Sequence, residues 1–356
     1  MPRVAIAGGS SASLGRAIVS SILLSPIKSH WEISILSRGD RKPLWLRALD
    51  PHGLRTRMEV VDYRDVSSIK AVLASSHTLI SVTSVTDGSQ VQVETNLLKA
   101  AVQAGCVRFA PSQWGFGPKG WENMHHFRSI GQPIWEECVR YKGEIECAKF
   151  NMGAFMNYIG LGAVTNPSAS DLTELESIQR LQEGGGYIAG EDEVVQGLQR
   201  QGDLEDGSGA FLLGMRNAIA TLPCRDDGQL PRVTFTTVKD VGRFVAASLD
   251  LVKWEENMTM VGETVNLGDL LRHAEEITGF DFKVEIRSRE ADEERLRQLP
   301  PNDVLGQLFT QFRLAFGRDA QDEGILEPVV NRLCPDIKPM GIREYMEGCW
   351  RAAKAT

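Results

Sequence analysis

The residues best placed to do chemistry stand near the N-terminus, in Val4 to Gly15 (VAIAGGSSASLG), where an apolar run breaks into glycine and serine before a helical pattern begins. Gly8 and Gly9 permit a sharp turn, Ser10, Ser11 and Ser13 bring hydroxyls and capping groups, and Leu14 to Leu24 reads as a helix with Gly15 in its first turn. The unbonded N–H groups of such a helix start, aligned with its dipole, favour an anion such as phosphate. A second group of capable residues lies between Gly115 and Gln132, a stretch that reads as a loop and carries Lys119, Trp121, His125, His126 and Arg128. Imidazole titrates near neutrality, so the His125–His126 pair is either a solvated surface pair or a source of acid–base chemistry over the reactive end of a ligand. Further ligands at metal-binding spacing are missing, and nothing resembles a nucleophile elbow or paired glycosidase carboxylates.

The elements that must position these residues alternate. Val4 to Ala7, Trp31 to Leu36, Met58 to Val61, Thr78 to Val85 and Val107 to Ala110 read as strands. Helices follow them at Leu14 to Leu24, at Val66 to Ser75 and in a stretch ending at Ala104, with Gly105 as its C-cap. Repeated βα units with right-handed crossovers predict an α/β fold: a Rossmann-like, doubly wound parallel sheet with ligands along the carboxyl edge of its strands. A smaller C-terminal α/β part is expected to complete it, with residues 1–158 binding the dinucleotide and 159–356 mainly the substrate, some elements returning to the first domain. In the second part Val233 to Thr237 and Phe282 to Ile286 read as strands, and Asp240 to Leu251 and Leu267 to Thr278 as helices. Glu174 to Gly207, rich in Glu, Gln and Gly, reads as helix interrupted by glycine: a lid, a contact arm or a solvated insertion. The end of the second strand selects the cofactor. Arg38, with Arg41 or Lys42 behind it, suits a ribose 2′-phosphate, where an acidic residue would suit the free hydroxyl, so NADP(H) is expected over NAD(H).

Lys and Arg total 39 against 47 Asp and Glu, a net charge of −8, with no basic tail to suggest nucleic acid. Phosphate must therefore be met locally. Six cysteines without C-x-x-C spacing suit reduced thiols and a cytoplasmic protein. Neither a signal peptide nor an apolar run near 18 residues is present, so no membrane span is expected.

The opening turn is spaced not as G-x-G-x-x-G but like the T-G-x-x-x-G-x-G of short-chain dehydrogenases, with Gly8 for the threonine and Ser13 for the middle glycine. Together with Ser37-Arg38, Val60 to Tyr63, Ala100 to Gly105 running into Arg108-Phe109, Pro111 to Gly115 and Gly153 to Tyr158, it resembles the isoflavone reductase-like and NmrA-like family of atypical short-chain dehydrogenases, particularly the fungal members. Thr236 to Phe244 and Ala274 to Gly279 extend the resemblance, whereas Ser168 to Gly209 and Asp292 to Gly324 match no motif. It implies NADPH over the sheet edge, with Arg38 at the 2′-phosphate, Thr83, Ser84 and Val85 beside the cofactor and Phe155 near the nicotinamide. The family's lysine is missing. The helix expected to carry it reads Gln132-Pro133-Ile134, and a glutamine cannot give up a proton at neutral pH. Tyr-x-x-x-Lys is absent too, since Ile145 stands four residues after Tyr141. His125, His126 and Tyr158 become the proton-transfer candidates, with Gln132 a positioning contact. The implied function is reduction of a carbonyl or conjugated double bond in a small, partly aromatic secondary metabolite. A dinucleotide-sensing regulator without turnover, or a redox-neutral cyclase, dehydratase or isomerase, suits the missing lysine. A homodimer remains open.

Overall fold

The computed structural model describes residues 1–25, 31–85, 87–163, 173–187, 211–300 and 302–353. Its organising element is β1 (Arg3–Ala7), whose Val4, Ala5, Ile6 and Ala7 are all fully buried, as a strand covered on both faces must be. α1 (Leu14–Leu24), β2 (Glu32–Ser37), α2 (Leu44–Leu49), β3 (Thr56–Val60), α3 (Val66–Val72), β4 (Thr78–Ser81), α4 (Gln90–Ala104) and β5 (Arg108–Ala110) follow. After α5 (Pro118–Asn123) and α6 (His125–Arg140), β6 (Glu146–Cys147) completes a parallel sheet of order β3-β2-β1-β4-β5-β6. The order reverses between β1 and β4, and such a switch point opens a crevice at the carboxyl edge. Register aligns that edge, because Ala7 lies opposite both Leu36 and Ser81.

Two of the expected boundaries differ for identifiable reasons. β4 stops at Ser81, not Val85, because its partner β1 turns away at Gly8 directly after Ala7. The expected loop from Gly115 to Gln132 is two helices. Pro118 takes the first position of α5, where a missing N–H costs nothing, and Gly131, Ile134 and Cys138 give α6 a buried face at helical spacing. α6 therefore begins at His125, and Gln132 falls in mid-helix rather than at a helix start. From Glu174 the expected helix is α7 (Glu174–Gln182), closed by a capping box between Thr173 and Glu176, and the remainder of that reading, residues 188–207, lies outside the described residues.

The later chain runs through β7 (Lys149–Asn151), β8 (Ala154–Phe155), β9 (Leu213–Gly214), β10 (Ile219–Pro223), β11 (Arg232–Thr236), α8 (Val238–Ser248), β12 (Asn257–Thr259) and β13 (Glu263–Asn266). α9 (Leu267–Thr278), β14 (Lys283–Arg287), α10 (Arg289–Gln298), α11 (Val304–Gly317), α12 (Val329–Leu333) and α13 (Ile342–Ala353) end it. α10 and α11, which no motif places, are joined by a buried bidentate pair in which Arg313 donates to both oxygens of Asp292 at 2.9 Å. None of the described helices is long and apolar enough to cross a membrane.

α8 packs against α1, the helix that starts at the glycine turn, so an element of the second half fixes the first site. The approach is close: a Cβ on Gly242 would stand 2.2 Å from the Ala17 carbonyl oxygen and 2.9 Å from Ser21 Oγ. Both helices would have to separate. Gly242→Val should therefore lower stability by about 3 kcal/mol, the upper range for overpacking a core, which urea unfolding measures. A change below about 0.5 kcal/mol would show that the two helices do not depend on this contact.

Candidate active site

The glycine turn is built from the backbone outward. Gly8 has φ +74°, a left-handed conformation that glycine adopts without strain, and a Cβ there would lie 3.1 Å from the Val82 carbonyl oxygen. Its N–H donates both to the Leu36 carbonyl and to the Tyr63 hydroxyl, each at 3.0 Å, and that hydroxyl donates to Leu36 at 2.7 Å. Tyr63 thus ties the ends of β1 and β2 together. Burial above all pushes its pKa up to about 12, keeping it a neutral donor. Gly15 allows the tightest contact of the turn: a Cβ would meet Ser11 Oγ at 2.6 Å and the carbonyls of Gly8 and Gly9 at 2.8 Å. Ser11 Oγ accepts from the Gly15 N–H at 3.0 Å, so Ser11, not Ser13, supplies the side-chain cap. Ser10 Oγ donates to Ser37 Oγ at 3.3 Å, and Ser13 is exposed. Among the described residues the N–H groups of Ser10, Ala12, Ser13 and Leu14 have no protein acceptor, and they stand at the positive end of α1.

Arg38 stands exposed just beyond β2, with no hydrogen-bond or ion-pair partner among the described residues, and its charge reaches Tyr63 beneath the turn. Lys42 is half-buried and its ammonium lies over the turn at Gly53, 3.0 Å from where a Cβ would stand. Across the edge, Thr83 is buried, Ser84 exposed and Val85 half-buried. Ser112 Oγ, from the loop after β5, donates to the Thr83 carbonyl at 2.8 Å, and the Val85 N–H donates to Gln90 Oε1 at 2.8 Å. Below them lies Glu94 of α4, fully buried, whose carboxylate receives Thr83 Oγ1 at 2.6 Å, Ser81 Oγ at 2.7 Å, and Gln90 Nε2 and the Ser112 N–H at 3.1 Å. A phosphate-bearing nucleotide fits this edge: free N–H donors at a helix start, a turn that Gly15 lets close against the carbonyls of Gly8 and Gly9, and a guanidinium at the neighbouring strand end that is unpaired among the described residues.

The proton-transfer candidates are placed less uniformly. His125 and His126 are not on a loop; they open α6, with His125 exposed and His126 half-buried. The His126 N–H donates to Gln311 Oε1 at 3.1 Å, and its ring meets the edge of Phe127 at 5.7 Å. Phe127 stacks on Phe312 at 5.7 Å, Phe312 meets Phe211 at 6.0 Å, and Phe211 meets Tyr158 at 4.7 Å. His126 and Tyr158 therefore border one aromatic cluster. Tyr158 stands not at a strand end but in a 3₁₀ turn, Met156–Gly160, and burial raises its pKa. Burial first, and His125 second, lower the pKa of His126, so it is neutral at pH 7. Gln132 is not brought to the edge: it is exposed and its amide donates to Glu136 at 2.9 Å on the outer face of α6. Phe155 is half-buried in β8, but Gly153 serves packing, since a Cβ there would lie 2.2 Å from the Thr234 carbonyl of β11.

Sequence reasoning missed Glu94, Tyr63 and Asn157. Gln90 and Glu94 lie one turn apart on the face of α4 that Leu97 and Leu98 bury, and a carboxylate on an apolar stripe was the available signal. Asn157 Oδ1 accepts from the Val238 N–H at 3.0 Å, capping α8, a role visible only once the chain has folded.

No family model matches the chain. A curated fungal relative, the oxidoreductase BOA1 of Botryotinia fuckeliana, is 26% identical over 286 residues, 78% of this chain and 77% of that protein. Among solved structures, an isoflavone reductase superposes with a TM-score of 0.66 at 13% identity, covering 97% of this chain and 98% of its own. The leucoanthocyanidin reductase–NADPH complex from Vitis vinifera gives 0.62 at 15% identity, covering 98% and 99%. The fold is that of these reductases, and the resemblance to isoflavone reductase-like proteins carried by the motifs is met across nearly the whole chain.

Gly15→Val should displace the Gly8 and Gly9 carbonyls and weaken binding of a phosphate-bearing nucleotide, assayed with NADPH, about 100-fold or more, the loss of two charge-assisted hydrogen bonds. Ser13→Gly, at an exposed position, should leave it within about threefold. Calorimetry on folded variants decides, and normal binding by Gly15→Val would place the phosphate elsewhere.

Proposed function

We propose that the protein is an NADP(H)-dependent reductase of a carbonyl or conjugated double bond in a small, partly aromatic secondary metabolite. The observation that carries this is the Arg38 guanidinium beside the helix-start N–H groups of Ser10, Ala12, Ser13 and Leu14, none of which has a partner among the described residues. The reductases of like fold and the fungal oxidoreductase support it. In this reading Gly8, Gly9, Ser10, Ser11, Ser13, Leu14 and Gly15 hold the pyrophosphate, Arg38 and Lys42 the 2′-phosphate, and Thr83, Ser84, Val85 and Phe155 flank the rest. Residues 1–158 make the dinucleotide part and 159–356 mainly the substrate part of a cytoplasmic enzyme. Bound NADPH would supply a hydride to one substrate carbon. The chain's own task is to orient an aromatic substrate and move the proton. Of the aromatic cluster, Phe211 and Phe312 belong to the buried core, so Phe127 and Tyr158, which are only partly buried, are the rings that would meet an aromatic substrate. Neutral His126, with one N–H and one lone pair, serves the second, with His125 and Tyr158 as alternatives.

One observation favours a redox-neutral reading. Pro133 and the outward-facing Gln132 occupy the place of the family's lysine, so no acid from that position reaches the edge. Product mass separates the readings when phenolic and polyketide ketones are offered with NADPH. A gain of two hydrogens supports reduction, an unchanged mass isomerisation, and no product a sensor.

Arg38→Ala should weaken NADPH binding by about 10- to 150-fold, the worth of one charge-assisted hydrogen bond, and leave NADH nearly unchanged. Equal loss for both would remove Arg38 from the site. On the true substrate, Gln132→Ala should cost less than about tenfold in kcat, and His126→Ala about 10²- to 10⁴-fold. Full activity in His126→Ala together with an inactive Gln132→Ala would reverse the assignment.

A further inference from the structure

Glu94 is a carboxylate in an unusual setting. It is fully buried, and every group that hydrogen-bonds it does so as a donor: two hydroxyls, one amide and one backbone N–H. No lysine or arginine pairs with it among the described residues. The titratable groups that face it are Tyr63, from the loop after β3, and Cys138, on α6; burial raises the first and the thiol of Cys147 together with burial the second, so both are uncharged near neutrality. A buried carboxylate without a counter-cation is costly, and burial duly raises its pKa. Its two strongest bonds reach residues of the β4 carboxyl end, Ser81 and Thr83, and a third reaches Ser112 beyond β5, at the crevice edge.

We infer that Glu94 is an electrostatic positioning residue whose buried negative charge favours the cationic, oxidised nicotinamide of NADP⁺ over the neutral ring of NADPH. This rests on the dinucleotide reading above. The oxidised ring is the missing counter-cation, present only after hydride has left, so the charge acts in the direction of substrate reduction. Low local dielectric leaves it little screened. As the carboxyl gives up its proton with rising pH, the preference for NADP⁺ strengthens.

The test compares dissociation constants of NADP⁺ and NADPH for the full chain by calorimetry, at about pH 6 and about pH 8.5. The 2′-phosphate, which titrates near pH 6, is common to both forms and cancels in their ratio. At the higher pH, Glu94→Gln should weaken NADP⁺ on the order of tenfold and leave NADPH unchanged within about twofold. The difference between variant and wild type should narrow as pH falls. Ser81→Ala removes one donor from the carboxylate, so the pH at which the NADP⁺ preference grows should move upward; this arm stands if Glu94→Gln fails to fold. Binding of both forms with an unchanged ratio in Glu94→Gln, or no shift in Ser81→Ala, overturns the role of Glu94. Failure of the wild type to bind either form overturns the dinucleotide reading instead.

Discussion

The constraint on which the rest depends is the contact of Gly15 with the carbonyls of Gly8 and Gly9, where the backbone of α1 meets the turn leaving β1 with no room for a side chain. This contact sets where the free N–H groups of the helix start point. The fully buried β1 anchors it on one side and α8, pressed onto α1 at Gly242, on the other. Tyr63 completes the frame by sharing its hydroxyl between the ends of β1 and β2. Elements far apart in the chain thus converge on one turn of backbone, and the whole sheet holds it rigid.

The same edge carries a polar layer beneath it. Ser81, Thr83, Gln90, Glu94 and Ser112 are bonded to one another under the carboxyl ends of β4 and β5, where an apolar core would otherwise continue. Satisfied polar groups in a low dielectric specify one geometry, and a fully buried carboxyl with no lysine or arginine beside it among the described residues is the sort of compromise found where function outweighs stability. In the second half, an aromatic cluster from α6, α11 and the chain after β8 links His126 to Tyr158.

The first half was legible because its signals are local. Apolar runs, glycine turns and the Gly105 cap place strands and helices within a few residues, and Leu14–Leu24 falls where the pattern puts it. Arg38's place just beyond the second strand could be read in the same way. What could not be read depends on contacts distant in sequence. The segment around His125 looks like a loop by composition, yet it is helical because Gly131, Ile134 and Cys138 find a buried surface. Gly153 suggests room for a ligand but answers to Thr234, eighty-one residues on. Gln132, aligned to a catalytic position, faces outward because Pro133 and the helical period leave it on the outer side of α6.

The most direct test of the account is amide hydrogen exchange with and without saturating NADPH. The account predicts slowing concentrated in residues 8–15, at the helix start, with smaller effects around Arg38 and at 83–85. Unchanged exchange at 8–15 while protection appears elsewhere would contradict it.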